Sequence, residues 1–166
     1  MRIFLIGYMG CGKSTTGKLL AESLGFKFID MDEQIQRLTG HSISSIFEVK
    51  GEEYFRKIEA RILRSIELED VVVATGGGCP VHHNNMDHIL KGGRSIYLKM
   101  TPEFAFERLE KAQSNRPLLR GLSEESLLAQ IKEQMAHREK FYALADVQVS
   151  AEDVNIELLV SELQPR

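Results

Sequence analysis

Residues 7–14 read Gly7-Tyr8-Met9-Gly10-Cys11-Gly12-Lys13-Ser14. Gly7, Gly12, Lys13 and Ser14 satisfy the phosphate-loop pattern G-x-x-x-x-G-K-[ST]. An apolar run, Ile3-Phe4-Leu5-Ile6, precedes the loop, and a helix-compatible stretch from Thr15 to Leu24 follows it. That order matters chemically. A strand delivers the loop, glycines let successive backbone N–H groups turn toward one anion, and the following helix adds its positive N-terminal end. Lys13 can reach terminal phosphates and the Ser14 hydroxyl can ligate magnesium. A glycine-rich turn without a ligand is the plain alternative, and the strand–loop–helix context stands against it. The reading is a chain that binds a nucleoside triphosphate.

Working outward, apolar runs and amphipathic stretches alternate along the chain, the pattern of β/α units that build a parallel sheet with helices on both faces. The expected strands are Ile3–Ile6, Phe26–Ile29, Val71–Thr75, Ser95–Lys99 and Asp146–Val149. The expected helices are Lys13–Leu24, Asp32–Leu38, Ser44–Val49, Glu52–Leu68, His83–Leu90, Pro102–Leu109, Ser123–Phe141 and Val154–Leu163. Open parallel sheets bind ligands at the carboxyl ends of their strands. Attention therefore falls on 7–14, Asp30–Asp32, Gly76–Gly78 and the segment after Lys99.

The 166 residues are read as one domain, large enough for a core without disulfide or metal staples. A net charge of −3 argues against nonspecific nucleic-acid binding. No apolar stretch is long enough to span a membrane, and a strand begins almost at Met1, so a cytoplasmic protein is expected. Two cysteines, Cys11 and Cys79, make no disulfide framework. Both lie in glycine-rich segments expected to line one cleft, where small size or a redox role could account for them. His82, His83 and His88 lack a metal-ligand spacing and read as surface residues.

Several residues carry candidate chemistry. Asp30 and Asp32 follow the second strand; on a backbone that stays extended both would face the phosphate loop, one toward magnesium and one toward a substrate hydroxyl. Helix capping by Asp30, with Glu33 three residues on, is the competing reading. In the helix from Glu52, an apolar stripe of Phe55, Ile58, Ile62 and Ile66 runs beside Arg56 and Glu59, which share a face. That pair is either a surface ion pair or a cleft pair in which Glu59 holds the Arg56 fork for a carboxylate. Arg138 occupies an apolar-face slot in the series Leu128, Ile131, Met135, Arg138, Tyr142, which favours an anion site over a snorkelling stem. Gly76-Gly77-Gly78 directly follows a buried-type strand and permits a ligand to approach the backbone closely. The aperiodic segment 110–122 carries Lys111, Arg116 and Arg120, and reads as a cationic lid or an ordinary solvated loop.

Taken in order, these landmarks resemble shikimate kinase over nearly the whole chain. They are the phosphate loop, the Phe-x-Asp-x-Asp stretch ending at Asp32, Ile46-Phe47, Gly51, Phe55-Arg56-x-x-Glu59, the triple glycine, Arg116-Pro117-Leu118-Leu119, and Arg138 with Tyr142. The resemblance implies a P-loop, nucleoside-monophosphate-kinase-like three-layer α/β sandwich. Its parts would be a five-stranded parallel sheet, a substrate-binding segment at about 31–60 and a mobile lid at about 110–122. It implies transfer of the γ-phosphate of ATP to the shikimate 3-hydroxyl, in the pathway to chorismate and the aromatic amino acids. ATP contacts would come from Gly10, Cys11, Gly12, Lys13, Ser14, Thr15 and Arg116. Magnesium would sit at Ser14 and, through water, at Asp30. Asp32 would orient and deprotonate the attacking hydroxyl, Arg56 and Arg138 would bind the shikimate carboxylate, and Gly77 and Gly78 the ring hydroxyls. Phe47 and Phe55 would form an apolar wall, and Lys13 and Arg116 would stabilise the transferring phosphoryl group. One departure stands out. The family commonly places an Arg seven residues before the lid Arg to stack on adenine; here that position is Leu109, and Arg108, one earlier, is the expected contact. A monomer is expected. The competing readings are a gluconate-type kinase on the same fold and a non-catalytic ATP-binding module.

Overall fold

The computed structural model describes residues 1–112 and 123–163. Among them, strands β1 (Arg2–Ile6), β2 (Lys27–Asp30), β3 (Val71–Ala74), β4 (Arg94–Lys99) and β5 (Val147–Ser150) form one sheet in the order β2-β3-β1-β4-β5. Every pairing is parallel, in registers such as Ile3 opposite Val72 and Leu5 opposite Ile96. The three central strands are nearly continuous apolar runs because both their faces are covered; Ile3, Leu5, Ile6, Val71, Val72, Val73, Ile96 and Leu98 are fully buried. Edge strand β2 has only exposed and half-buried positions, and edge strand β5 mixes exposed and buried ones.

The helices are α1 (Lys13–Leu24), α2 (Met31–Thr39), α3 (Ile43–Lys50), α4 (Glu52–Arg64), α5 (Asn85–Gly92), α6 (Pro102–Lys111), α7 (Glu124–Tyr142) and α8 (Ile156–Leu163). They flank the sheet in groups: α1 packs on β1, β2 and β3 and against α8, whereas α5 packs on β4 and against α4. Gly17 lets α1 lie close to the sheet, since a Cβ there would stand 2.4 Å from the Phe28 ring.

Strand positions agree with the sequence reading to within a residue or so. The differences lie at helix ends, and each has a local cause. Helix α4 stops at Arg64 rather than Leu68. Ser65 turns its hydroxyl onto the Ile62 carbonyl, and the Ile66 carbonyl accepts from Arg2 Nη1 instead of a helical N–H. The stretch beyond is pinned by the chain's amino group, which meets both Glu69 and Asp70 at 2.8 Å. Helix α5 begins at Asn85 rather than His83, because a 3₁₀ turn fills Cys79–Val81 and His83 and Asn84 adopt left-handed φ of 51° and 54°. Helix α8 begins at Ile156, where Asn155 Oδ1 accepts from the Leu158 N–H.

The same end of the sheet gathers the loop after β1, Asp30 at the tip of β2, the glycine turn after β3 and the entrance to α6 after β4. All four segments singled out by the strand-end rule therefore meet along one edge. The segment 113–122, with Arg116, Arg120 and most of the expected lid, lies outside the described residues.

Candidate active site

The phosphate loop forms the first wall. Gly12 caps α1 with φ 91°, a left-handed conformation that favours glycine, and its carbonyl accepts from the Thr16 N–H. Lys13 lies along the loop, its ammonium donating to the Gly7 carbonyl at 2.7 Å and the Tyr8 carbonyl at 3.0 Å. The buried Cys11 Sγ is 3.6 Å from the same nitrogen. Thr15 is exposed beside it. Arg108 reaches over from α6, donating to the Gly10 carbonyl at 3.3 Å while its guanidinium covers the Phe104 ring. The shifted arginine thus sits on the rim of the loop. Beyond it, at the ends of β4 and β5, opens a groove of about 320 Å³ lined by Lys99, Met100, Thr101, Gln148, Val149, Ser150 and Glu152.

Asp30 does two things at once. Its Oδ1 accepts from the Asp32 and Glu33 N–H groups and starts α2, while its Oδ2 accepts from the Ser14 hydroxyl. The backbone does not stay extended to Asp32, as alternating side chains would require; it turns helical at Met31 because the Asp30 carboxylate satisfies the first helical N–H groups. Capping and loop-facing are therefore two uses of one carboxylate. Asp32 nonetheless faces the site from the first turn of α2, with Oδ1 3.6 Å from where a Cβ on Gly76 would lie.

The second wall is α4, and it settles the alternative left open by sequence. Arg56 is 8% exposed and Glu59 0%, so the pair belongs to a cleft and not to the surface. The apolar stripe is shifted accordingly: Phe55, Ile62, Leu63 and Ile66 are buried, whereas Ile58 is only partly so. Arg56 Nη1 donates to Glu59 Oε2 at 2.9 Å, and Nε and Nη2 both donate to Glu52 Oε1 at 3.2 Å. Burial pushes the Glu59 carboxyl pKa up, and the Arg56 charge opposes that rise. His82 stands on the rim with Nε2 4.0 Å from Glu52 Oε1; partial burial, then the Arg56 charge, push its pKa down.

Arg138 on α7 closes the third side. Its guanidinium packs over the Tyr8 ring, 5.3 Å from the centroid, and a Cβ on Gly77 would stand 3.4 Å from its Nη1. Leu127, rather than Leu128, shares the buried face with Ile131, Met135 and Tyr142. The Tyr142 hydroxyl donates to the Gly77 carbonyl, and burial raises its pKa. Glu59 Oε1 and Arg138 Nη1 are buried and find no hydrogen-bond partner among the described residues.

The triple glycine now has a physical explanation. A Cβ on Gly76 would lie 2.5 Å from Glu59 Oε1, one on Gly77 3.1 Å from the Met9 N–H nitrogen, and one on Gly78 2.4 Å from Arg56 Nη2. The sequence reading reserved this space for a ligand. Much of it is taken by Glu59, Arg56 and Arg138, packed directly on the turn. Phe47 and Phe55 pack together at a tilt of 39°, ring centroids 4.6 Å apart, with Arg56 over the Phe55 ring.

Phosphate loop, paired aspartates, two buried-side arginines and glycine turn thus converge on one cleft. The shikimate kinase family model matches residues 9–164 of this chain. A shikimate kinase from Parabacteroides distasonis is 42% identical over 163 residues, covering 98% of this chain and 94% of that protein. The chain belongs to the shikimate kinase family. Among solved structures, the family's member from Bacteroides thetaiotaomicron superposes with a TM-score of 0.90 at 36% identity, covering 99% of this chain and 96% of that one. A shikimate kinase from Acinetobacter baumannii, solved in complex with shikimate, gives 0.84 at 33% identity, covering 97% and 89%. A gluconokinase from Sinorhizobium meliloti reaches only 0.56 at 19% identity and shares the fold alone. The protein is a kinase of this family.

Two site residues, Glu52 and Tyr8, escaped the sequence reading, and Tyr142 was named there without its contact. Glu52 grips the outer edge of Arg56, and its i,i+4 spacing was a visible signal. Tyr8 supplies the face under Arg138, and Tyr142 the tie to Gly77. Neither contact has a sequence pattern, because each joins elements far apart in the chain. Arg116 lies outside the described residues. Among those residues no group of three or more His, Cys, Asp or Glu side chains is placed to hold a metal ion, and no helix is long and apolar enough to cross a membrane.

Proposed function

We infer that this chain is a shikimate kinase that transfers the γ-phosphate of ATP to the shikimate 3-hydroxyl, giving shikimate 3-phosphate and ADP on the route to chorismate. The observation that carries the assignment of roles is the convergence of Arg56, Arg138 and Asp32 on one glycine turn beside the phosphate loop.

The residues divide the work by charge. Phosphoryl transfer asks a protein for positioning and charge neutralisation more than for covalent chemistry. Gly10, Cys11, Gly12, Lys13, Ser14 and Thr15 surround the phosphates, and Lys13 exchanges its loop carbonyls for γ-phosphate oxygens. Arg108 covers the nucleotide from α6, with the adenosine directed toward the groove between the ends of β4 and β5. Arg116, outside the described residues, is the further positive charge assigned to the transferring phosphoryl group.

The Ser14 hydroxyl and the Asp30 carboxylate already touch, and this hard oxygen pair suits Mg²⁺ with water and phosphate completing the shell. When bound, the ion neutralises phosphate charge.

On the acceptor side, Arg56 and Arg138 take the carboxylate of shikimate. Guanidinium forks give orientation as well as attraction, which fixes the ring relative to Asp32. Asp32 then accepts the proton of the attacking hydroxyl. Gly77 and Gly78 line the ring's path, and Phe47 with Phe55 shields its apolar edge. Glu59 holds Arg56 from behind. The chain acts as one domain and as a monomer.

A coupled ADP-release assay tests this. ADP formation should depend on added shikimate, with gluconate inert. Turnover of gluconate with shikimate inert contradicts the assignment, and ATP binding without turnover of shikimate makes the chain a non-catalytic module.

A further inference from the structure

We propose that Arg64 and Asn85 are positioning residues that set the glycine turn relative to Arg56, so that the acceptor site's two halves are referenced to one helix. The inference rests on the acceptor-site reading above and adds to it a pair of residues that touch neither substrate.

Arg64 is the last residue of α4, two turns beyond Arg56, or about 12 Å along the axis. Its Nη1 donates to the Ala60 carbonyl of its own helix at 3.0 Å and to Asn85 Oδ1 at 2.7 Å. Its Nη2 donates to the His83 carbonyl at 2.6 Å. One planar fork therefore grips both α4 and the segment leading into α5.

Asn85 is 0% exposed and uses both ends of its amide. Oδ1 accepts from Arg64, and Nδ2 donates to the Cys79 carbonyl at 2.9 Å. Cys79 directly follows Gly78, and its N–H donates to the Gly76 carbonyl at 3.1 Å. A continuous chain of hydrogen bonds thus runs from α4 through Arg64, Asn85 and Cys79 to the turn on which Arg56 and Arg138 pack.

The backbone here needs such a clamp. His83 and Asn84 are consecutive left-handed residues, a conformation that persists only where surrounding contacts enforce it. The His83 carbonyl is the group Arg64 Nη2 holds. A simple helix-end cap would not need the second branch of the fork, and a merely space-filling Asn85 would not need both its polar ends paired.

The clearance is also tight. Gly78 leaves no room for a Cβ against Arg56, so a small slide of the turn along α4 would press it into the guanidinium or open a gap. Misplacement of about 1 Å at a reacting site is worth on the order of a hundredfold in rate.

The test uses the full-length enzyme with Arg64→Met, Arg64→Lys, Asn85→Asp and Arg138→Ala, assayed by ADP release with shikimate and ATP varied separately, plus melting temperature. Arg64→Met should raise the shikimate KM by about tenfold or more while the ATP KM stays within about twofold. Arg64→Lys, which keeps charge but not the fork, should recover part of the loss. Asn85→Asp replaces the donor to Cys79 with an acceptor and should move KM the same way. Should that buried variant not fold, Arg64→Met decides alone, because Arg64 lies on the exposed side of α4. A lowered melting temperature with unchanged shikimate KM in Arg64→Met overturns the proposal. Arg138→Ala separates the two levels: if it leaves shikimate dependence intact, the acceptor-site reading fails; if it abolishes shikimate use while Arg64→Met does not, only the positioning role fails.

Discussion

Gly78→Ala adds one methyl group at a position where backbone conformation is not the constraint. Gly78 has φ −86° and ψ −8°, ordinary right-handed values that alanine adopts without strain. The added Cβ would stand 2.4 Å from Arg56 Nη2 and 2.7 Å from both Cζ and Nη1, against the whole head group and not its flexible tip alone. Arg56 has little freedom to yield. It is bonded to Glu59 on one side and Glu52 on the other, and it rests on Phe55. Displacing it disturbs charge-assisted hydrogen bonds worth about 1.5–3 kcal/mol each and removes the fork from its carboxylate. A loss of about 2–4 kcal/mol in acceptor binding corresponds to a roughly 30- to 1,000-fold rise in shikimate KM. ATP KM should change by less than about twofold, because the phosphate loop is untouched. Steady-state ADP release, with each substrate varied in turn, reads both values. The cause can be isolated with a double-mutant cycle: Gly78→Ala on top of Arg56→Ala should add almost nothing, since the clash partner is gone. Additive losses, or an unchanged shikimate KM in the single variant, would refute the close-packing argument.

Arg138→Ala should weaken use of shikimate by about 2–4 kcal/mol in transition-state terms, with ATP binding preserved; equal damage to both would place the residue elsewhere. Lys13→Met should cut turnover by roughly 100-fold or more while shikimate binding, followed by calorimetry, is retained. Burial holds the Glu59 carboxyl pKa above its ordinary 4.5, so folding favours the protonated form. That contribution to stability is complete below the ordinary value and is lost as pH rises through the raised one. Glu59→Gln should therefore flatten this part of the melting-temperature profile above pH 4.5, and wild-type and variant curves that stay parallel would contradict it.

The strand order of the chemistry was legible because the phosphate loop, the Asp30–Asp32 stretch and the triple glycine each follow an apolar run, and strand ends are where parallel sheets bind ligands. The placement of Arg138 in the cleft was legible for a related reason: a charge in an apolar helical slot demands a polar destination. Less could be read where one residue serves two neighbours. From sequence Asp30 reads as a cap or as a loop-facing carboxylate, and its two oxygens do both. Arg56 and Glu59 looked the same as a surface pair until packing against Gly76 and Gly78 put them inside. The early stop of α4 at Arg64 depended on Arg2, far away in sequence. Contacts of that kind, like Tyr142 on Gly77, arise from the topology and leave no periodic mark.

The most direct test of the acceptor site is a crystal structure of the enzyme with shikimate and a magnesium–nucleotide pair bound. The account places the shikimate carboxylate between the guanidinium groups of Arg56 and Arg138 and its 3-hydroxyl within hydrogen-bonding distance of Asp32, facing the phosphate loop. A carboxylate bound away from both arginines, or a 3-hydroxyl turned from Asp32, would contradict it.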